Sequence, residues 1–162
     1  MTTPRLDLRN LSKRFGNVIV ADGLDLTVSP NQALGIVGPN GAGKSSLFSM
    51  ISGDLDPDKG TVLLDGADVT RKRADVRAAH GVGRTFQIPR PFEGLTVFEN
   101  VLVFATAAAG LRKDEANRLA ASSLERCGLG DLANQPAGAL GLLDRKRLEV
   151  ARALGSDPQL LL

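Results

Sequence analysis

The stretch "ALGIVGPNGAGKSSLFSMISG", residues 33–53, decides the fold. Ala33 to Val37 form a short continuous apolar run that empties into a glycine-rich loop, and the residues from Lys44 place Leu47, Phe48 and Ile51 on one helical face before Gly53. An apolar run without alternation predicts a strand covered on both faces, and the helical spacing predicts a helix that Gly53 ends.

Between them, Gly38 to Ser45 satisfy the spacing G-x-x-x-x-G-K-[ST] of a P-loop, in the strand-to-helix context that motif requires. Gly38, Pro39, Asn40, Gly41, Ala42 and Gly43 would curl the backbone so that its N–H groups face inward, at the positive end of the following helix, where Ser46 adds a first-turn amide. Lys44 would set a point charge at the β- and γ-phosphates, and the Ser45 hydroxyl would ligate Mg²⁺. The bland alternative is a glycine-rich turn that merely joins strand to helix. Spacing and context together favour phosphate binding. A P-loop alone leaves kinases, GTPases, motors and transport ATPases open.

Working outward, the 162 residues suffice for one domain with a sizeable core. The 20 Lys+Arg against 18 Asp+Glu give no basic stripe of the kind nucleic-acid binding needs, so no nucleic-acid partner is expected. Cys127 is the only cysteine, which excludes a disulfide framework and a multi-cysteine metal site and reads as a small buried residue. "MTTPRLDL" lacks the apolar segment of a secretory signal, and the longest apolar stretch, Val101 to Ala109, is too short to span a bilayer. A soluble, cytosolic chain is expected.

Leu6 to Val28 alternate apolar and polar residues around "FGN" and predict antiparallel strands with one solvated face. "GTVLLDG" (60–66) predicts a further strand, "RKRADVRAAH" (71–80) a short exposed helix, and "GVGRTFQ" (81–87) another strand. From Val97 the chain turns helical, with Ala116, Leu119, Ala120 and Cys127 at helix spacing. In "DRKRLEVARAL", Leu148, Ala151 and Leu154 fall opposite Arg145, Arg147 and Glu149, and "SDPQLLL" (156–162) predicts a buried strand. The basic cluster Arg71, Lys72, Arg73, Arg77, Arg84 and Arg90 reads as a solvated face rather than a docking patch, and His80 as an exposed helix residue.

"LSKRFGNVIVADGLDLTV", "GPNGAGKSSLFSMISG", "GTVLLDGADV", "GVGRTFQ" and "LTVFENV" together resemble, in that order, the ATP-binding subunits of ABC transporters. The likeness covers essentially the whole chain, and "RTFQ" with "DRKRLEVARAL" narrows it to the branched-chain amino acid importers. It implies an α/β fold: a P-loop NTPase (RecA-like) core with an antiparallel β subdomain over residues 1–87, an inserted α-helical subdomain over 88–143, and a signature helix returning to a core strand over 144–162. It further implies an ATP-hydrolysing subunit that takes ATP and Mg²⁺, pairs with a second such subunit, identical or not, and docks on membrane permease subunits at the cytoplasmic face of the inner membrane.

Residue by residue, the resemblance makes Phe15 the aromatic that stacks on adenine and Gln87 the glutamine that reaches the Mg²⁺. The alternatives are an aromatic plug and an idle strand-end glutamine. At the signature loop the chain departs from the family: Gly141 stands at the serine position and Leu143 at the glycine position. "QLLL" resembles the Walker B strand, truncated before its acidic pair, so ATP binding weaker than in a complete domain and negligible turnover are expected of the 162 residues. The competing readings are a non-catalytic nucleotide-binding module and a non-transport ABC ATPase. The DNA-repair type of the latter is disfavoured because Phe86 follows Lys44 by only 42 positions, leaving no room for a long insertion.

Overall fold

Leu6, Leu8 and Leu11 are all buried, although strict two-residue alternation would put Leu11 on the opposite face from the other two. The computed structural model, which describes residues 3–162, shows why. The first strand, β1 (Leu6–Phe15), is irregular between Leu8 and Leu11, and Asn10 sits at φ 48°. This bulge returns Leu11 to the core side. The Met1 and Thr2 of the sequence opening lie outside the described residues.

β1 pairs antiparallel with β2 (Val18–Val28) and with β3 (Lys59–Leu64), and β4 (Ala67–Asp68) completes the sheet in the order β2-β1-β3-β4. As an edge strand β2 is mostly exposed, whereas Val62 and Leu64 of β3 join the core. Helix α1 (Lys44–Ser52) buries Leu47, Met50 and Ile51, and the short α2 (Ala74–Ala79) follows. These elements make up the first of two compact units, which runs through His80; the second runs from Gly81 to Leu162.

Two expectations fail in the first unit. Residues 33–38 are not a buried strand: they are irregular and mostly exposed, with Leu34 at 44% and Val37 at 97%. A strand exists only where neighbours take its N–H and C=O groups, and none of β1 to β4 pairs with this run. Arg77 is not on a solvated face either. It is fully buried, and its guanidinium donates to four main-chain carbonyls, of Lys72, Met50, Ile51 and Thr70, at 2.6–3.0 Å. The burial is tolerated because nearly every donor of the fork has an acceptor. His80 is exposed, as read.

In the second unit, β5 (Val82–Gly83) and β6 (Leu160–Leu161) pair in parallel, so "QLLL" does become a strand. It is not buried: Leu161 is 47% exposed. Three helices, α3 (Val97–Ala107), α4 (Lys113–Arg126) and α5 (Leu142–Gly155), close over a core of Val97, Val101, Leu124, Leu129 and Leu148. Ala116, Ala120 and Ala151 are wholly buried, and at Gly155 an added Cβ would come within 2.6 Å of Val101, so α3 and α5 approach where only glycine fits. Cys127 ends α4 half-buried, and burial raises its thiol pKa. Glu149, expected on the outer face, is buried and paired with Arg152 at 3.0 Å. Helix α3 opens on a capping box: the Thr96 hydroxyl accepts from the Glu99 amide at 3.1 Å, and the Glu99 carboxylate accepts from the Thr96 amide at 2.8 Å. Among the described residues no helix is long and apolar enough to cross a membrane.

Candidate nucleotide-binding site

The loop from Gly38 to Gly43 turns on two left-handed glycines, Gly41 at φ 85° and Gly43 at φ 84°, and Gly43 is the N-cap of α1. A Cβ at Gly43 would strike the main-chain oxygen of Val20 in β2. Glycine is therefore required twice over, for the backbone angle and for the close approach of the hairpin strand behind the loop.

The first helical hydrogen bond runs from the Leu47 amide to the Gly43 carbonyl at 2.9 Å. The amides of Lys44, Ser45 and Ser46 thus belong to the first turn, where a helix has no carbonyls to offer them. No side chain caps this end and its first turn carries no acid. An uncapped, acid-free N-terminus is the electrostatic setting an anion prefers.

Lys44 reaches back over the loop, and its ammonium donates to the carbonyls of Gly38 at 2.6 Å and Pro39 at 2.7 Å. The cation therefore lies across the loop that leads into α1. The exposed Ser45 hydroxyl caps no backbone group, so the donor chemistry at this turn fits a hard cation held beside a phosphate.

Phe15 closes the same hairpin that supplies Val20: it pairs in register with Val18 at the turn and is 50% exposed. The Lys13 ammonium lies 5.5 Å from its ring centroid and is itself held by Asp58 at 2.8 Å. Lys13 and the Arg14 amide keep the Asp58 carboxyl below the usual carboxylate range. A half-exposed ring beside a cation is available for stacking and is not a core plug.

In the second unit, Gln87 lies exposed in a bend after β5. Just before it, the Thr85 amide and hydroxyl both donate to the Leu162 carbonyl at 2.9 Å. Gly141 is the N-cap of α5 and offers no side-chain cap, while Leu142 and Leu143 are 68% and 62% exposed. Unlike α1, α5 carries an acid in its first turn, Asp144, which pairs with Arg147 at 3.1 Å. The missing hydroxyl was legible in the sequence. Asp144 beside it, an acid three residues past the N-cap, adds a negative charge unfavourable to an anion.

The family model described as ABC transporter matches residues 21–162. The chain is 35% identical to the high-affinity branched-chain amino acid transport ATP-binding protein BraF of Pseudomonas aeruginosa, over 100% of this chain and 69% of that protein. It is 32% identical to the lipopolysaccharide export system ATP-binding protein LptB of Haemophilus influenzae, over 97% of this chain and 65% of that one. Among solved structures, the ADP conformation of MJ1267, an ATP-binding cassette of an ABC transporter, superposes with a TM-score of 0.85 at 31% identity, covering 99% of this chain and 68% of the other.

Proposed function

The chain belongs to the ABC transporter ATP-binding family, and from that premise we propose that it binds ATP with Mg²⁺ and energises an importer of branched-chain amino acids. The observation that carries the nucleotide reading is the acid-free N-terminus of α1, with the Lys44 ammonium laid across the loop that feeds it. The loop amides and Lys44 take the phosphates, Ser45 holds the metal and Phe15 stacks on the adenine. Gln87 is assigned to the metal by its resemblance in sequence alone. Bound Mg²⁺ would neutralise phosphate charge and orient the terminal phosphate.

The substrate class rests on the likeness to BraF, and the export protein LptB marks the competing assignment. Membrane permease subunits and a second ATP-binding subunit are the proposed partners, met at the cytoplasmic face of the membrane. A polypeptide of residues 1–162 is proposed to bind ATP with negligible turnover. Equilibrium titration with a fluorescent ATP analogue, with and without magnesium chloride, tests the binding. Affinity that does not depend on Lys44 would defeat the reading, and turnover that depends on Lys44 would defeat its last part.

One observation favours a second reading. Exposed leucines and an acid at the start of α5 are poorly suited to a phosphate, which suits a nucleotide-binding module without catalytic pairing. ATP-dependent self-association together with retention of a permease would exclude that module.

A further inference from the structure

Asn100 is an anomaly in its own helix: a wholly buried amide in the apolar run of α3. A buried amide costs stability unless its donors and acceptor are satisfied. Here the segment that follows Gln87 supplies most of its partners. The Oδ1 of Asn100 accepts from the Phe92 amide at 2.8 Å, and its Nδ2 donates to the Phe92 carbonyl at 3.0 Å and to the Thr96 carbonyl at 2.8 Å.

Arg152 of α5 holds the same segment two residues earlier, at Arg90. Its Nη1 donates to the Arg90 carbonyl at 2.9 Å and to Glu149 at 3.0 Å, and its guanidinium lies 5.1 Å from the Phe92 ring and 4.8 Å from the Phe104 ring. The arginine is nearly buried, and its Nε is buried with no hydrogen-bond partner. An apolar side chain of similar volume would fill that space without the desolvation cost. The contacts of Arg152 instead tie the Arg90 carbonyl and the Phe92 ring to α5.

On its other side the loop is tied at Thr85, whose amide and hydroxyl both reach the Leu162 carbonyl. Gln87 is thus two residues from one tether and three from the Arg90 carbonyl, with only Ile88 and Pro89 between. Proline fixes its own φ and restricts the residue before it, so few free dihedrals remain over this span.

We propose that Asn100 and Arg152 are positioning residues for Gln87: they clamp residues 90–92 onto α3 and α5, and so set where the glutamine side chain stands. The proposal rests on the reading of Gln87 as the metal-facing glutamine. The clamp acts through the loop and touches neither nucleotide nor metal.

The test compares the wild-type chain with Asn100→Ala, Arg152→Met, Arg152→Lys and Gln87→Ala by hydrogen exchange and by ATP titration with and without magnesium chloride. Asn100→Ala and Arg152→Met are expected to speed exchange of the Phe92 amide, which donates to Asn100, by about tenfold or more while the amides of α3, α4 and α5 keep their protection. Both should lose the magnesium-dependent part of ATP affinity, as Gln87→Ala does, and keep the magnesium-free part. Arg152→Lys should restore part of the loss. Unchanged exchange at Phe92, or a rise spread evenly over the helices, overturns the proposal. If Asn100→Ala does not fold, the Arg152 pair carries the same comparison. If Gln87→Ala leaves magnesium dependence intact while the local exchange behaves as expected, the metal assignment of Gln87 fails and the clamp stands.

Discussion

The Arg77 guanidinium donates to the Met50 carbonyl at 2.6 Å, joining the α2 arginine to the last turn of the helix that begins at Lys44. The same side chain reaches the carbonyls of Ile51, Thr70 and Lys72. Carbonyls at a helix C-terminus have no intrahelical donors, and a cation there also opposes the negative end of the dipole. Arg77→Ala strips several buried carbonyls of their donors at once. It should lower the unfolding free energy by about 3 kcal/mol, read from the urea midpoint at constant m-value. Lysine offers three donors in place of a fork of five, so Arg77→Lys should recover only part of the loss.

Lys44→Ala should leave the urea midpoint nearly unchanged, because its partners Gly38 and Pro39 lie in an exposed loop where water can replace the ammonium. ATP affinity should fall by roughly tenfold or more, the scale of a lost charge-assisted contact. Gly43→Ala should lose both stability and binding, since alanine at φ 84° is strained and its Cβ meets the Val20 carbonyl. A Gly43→Ala chain with normal ATP affinity would remove the loop from the binding site.

These contrasts show what was readable in the chain. The P-loop was legible because its chemistry is local: glycines for left-handed backbone, a lysine and a hydroxyl at fixed spacing at the start of a helix. Helices α4 and α5 were legible from their apolar period, and the turn to helix from Val97 was legible with them. Residues 33–38 misled because an apolar run specifies burial, whereas a strand also needs flanking partners that local sequence does not name. Arg77 and Glu149 misled for the converse reason. A charge run reads as solvated unless one knows which carbonyls or which arginine will meet it, and those contacts come from tertiary packing. Asn100 was readable as a polar residue inside an apolar helix, but its target, the Phe92 backbone, was not.

The carboxyl of Glu99 is held below the usual range, first by the Thr96 amide and then by the Thr96 hydroxyl. A carboxyl whose native pKa lies below its unfolded value, about 4.3 for glutamate, stabilises the fold fully above that value. The contribution is lost as pH falls through the native pKa. Urea midpoints of the wild type should therefore fall faster as pH drops below about 4.3 than those of Glu99→Gln, whose amide does not titrate. Parallel acid limbs for the two proteins would show that the capping box is not linked to pH.

The start of α5 offers the sharpest test of pairing. Leu142 and Leu143 stand exposed where the family likeness places a serine and glycine loop against a partner's nucleotide, and Asp144 adds a negative charge to a turn whose amides would otherwise favour phosphate. Restoring the family chemistry with the double change Gly141→Ser and Leu143→Gly supplies a hydroxyl at the N-cap and removes the Cβ that hinders close approach. Because the altered side chains are at a helix N-terminus and largely exposed, the fold should tolerate both changes within about 1 kcal/mol. The expected outcome is stronger self-association with ATP present than without it, by about tenfold or more in dimer dissociation constant, measured by sedimentation velocity. If ATP fails to promote association in the double variant while Lys44-dependent ATP binding persists, the departure at Gly141 and Leu143 is not what limits pairing, and the reading of the chain as a nucleotide-binding module gains over that of a paired ATPase.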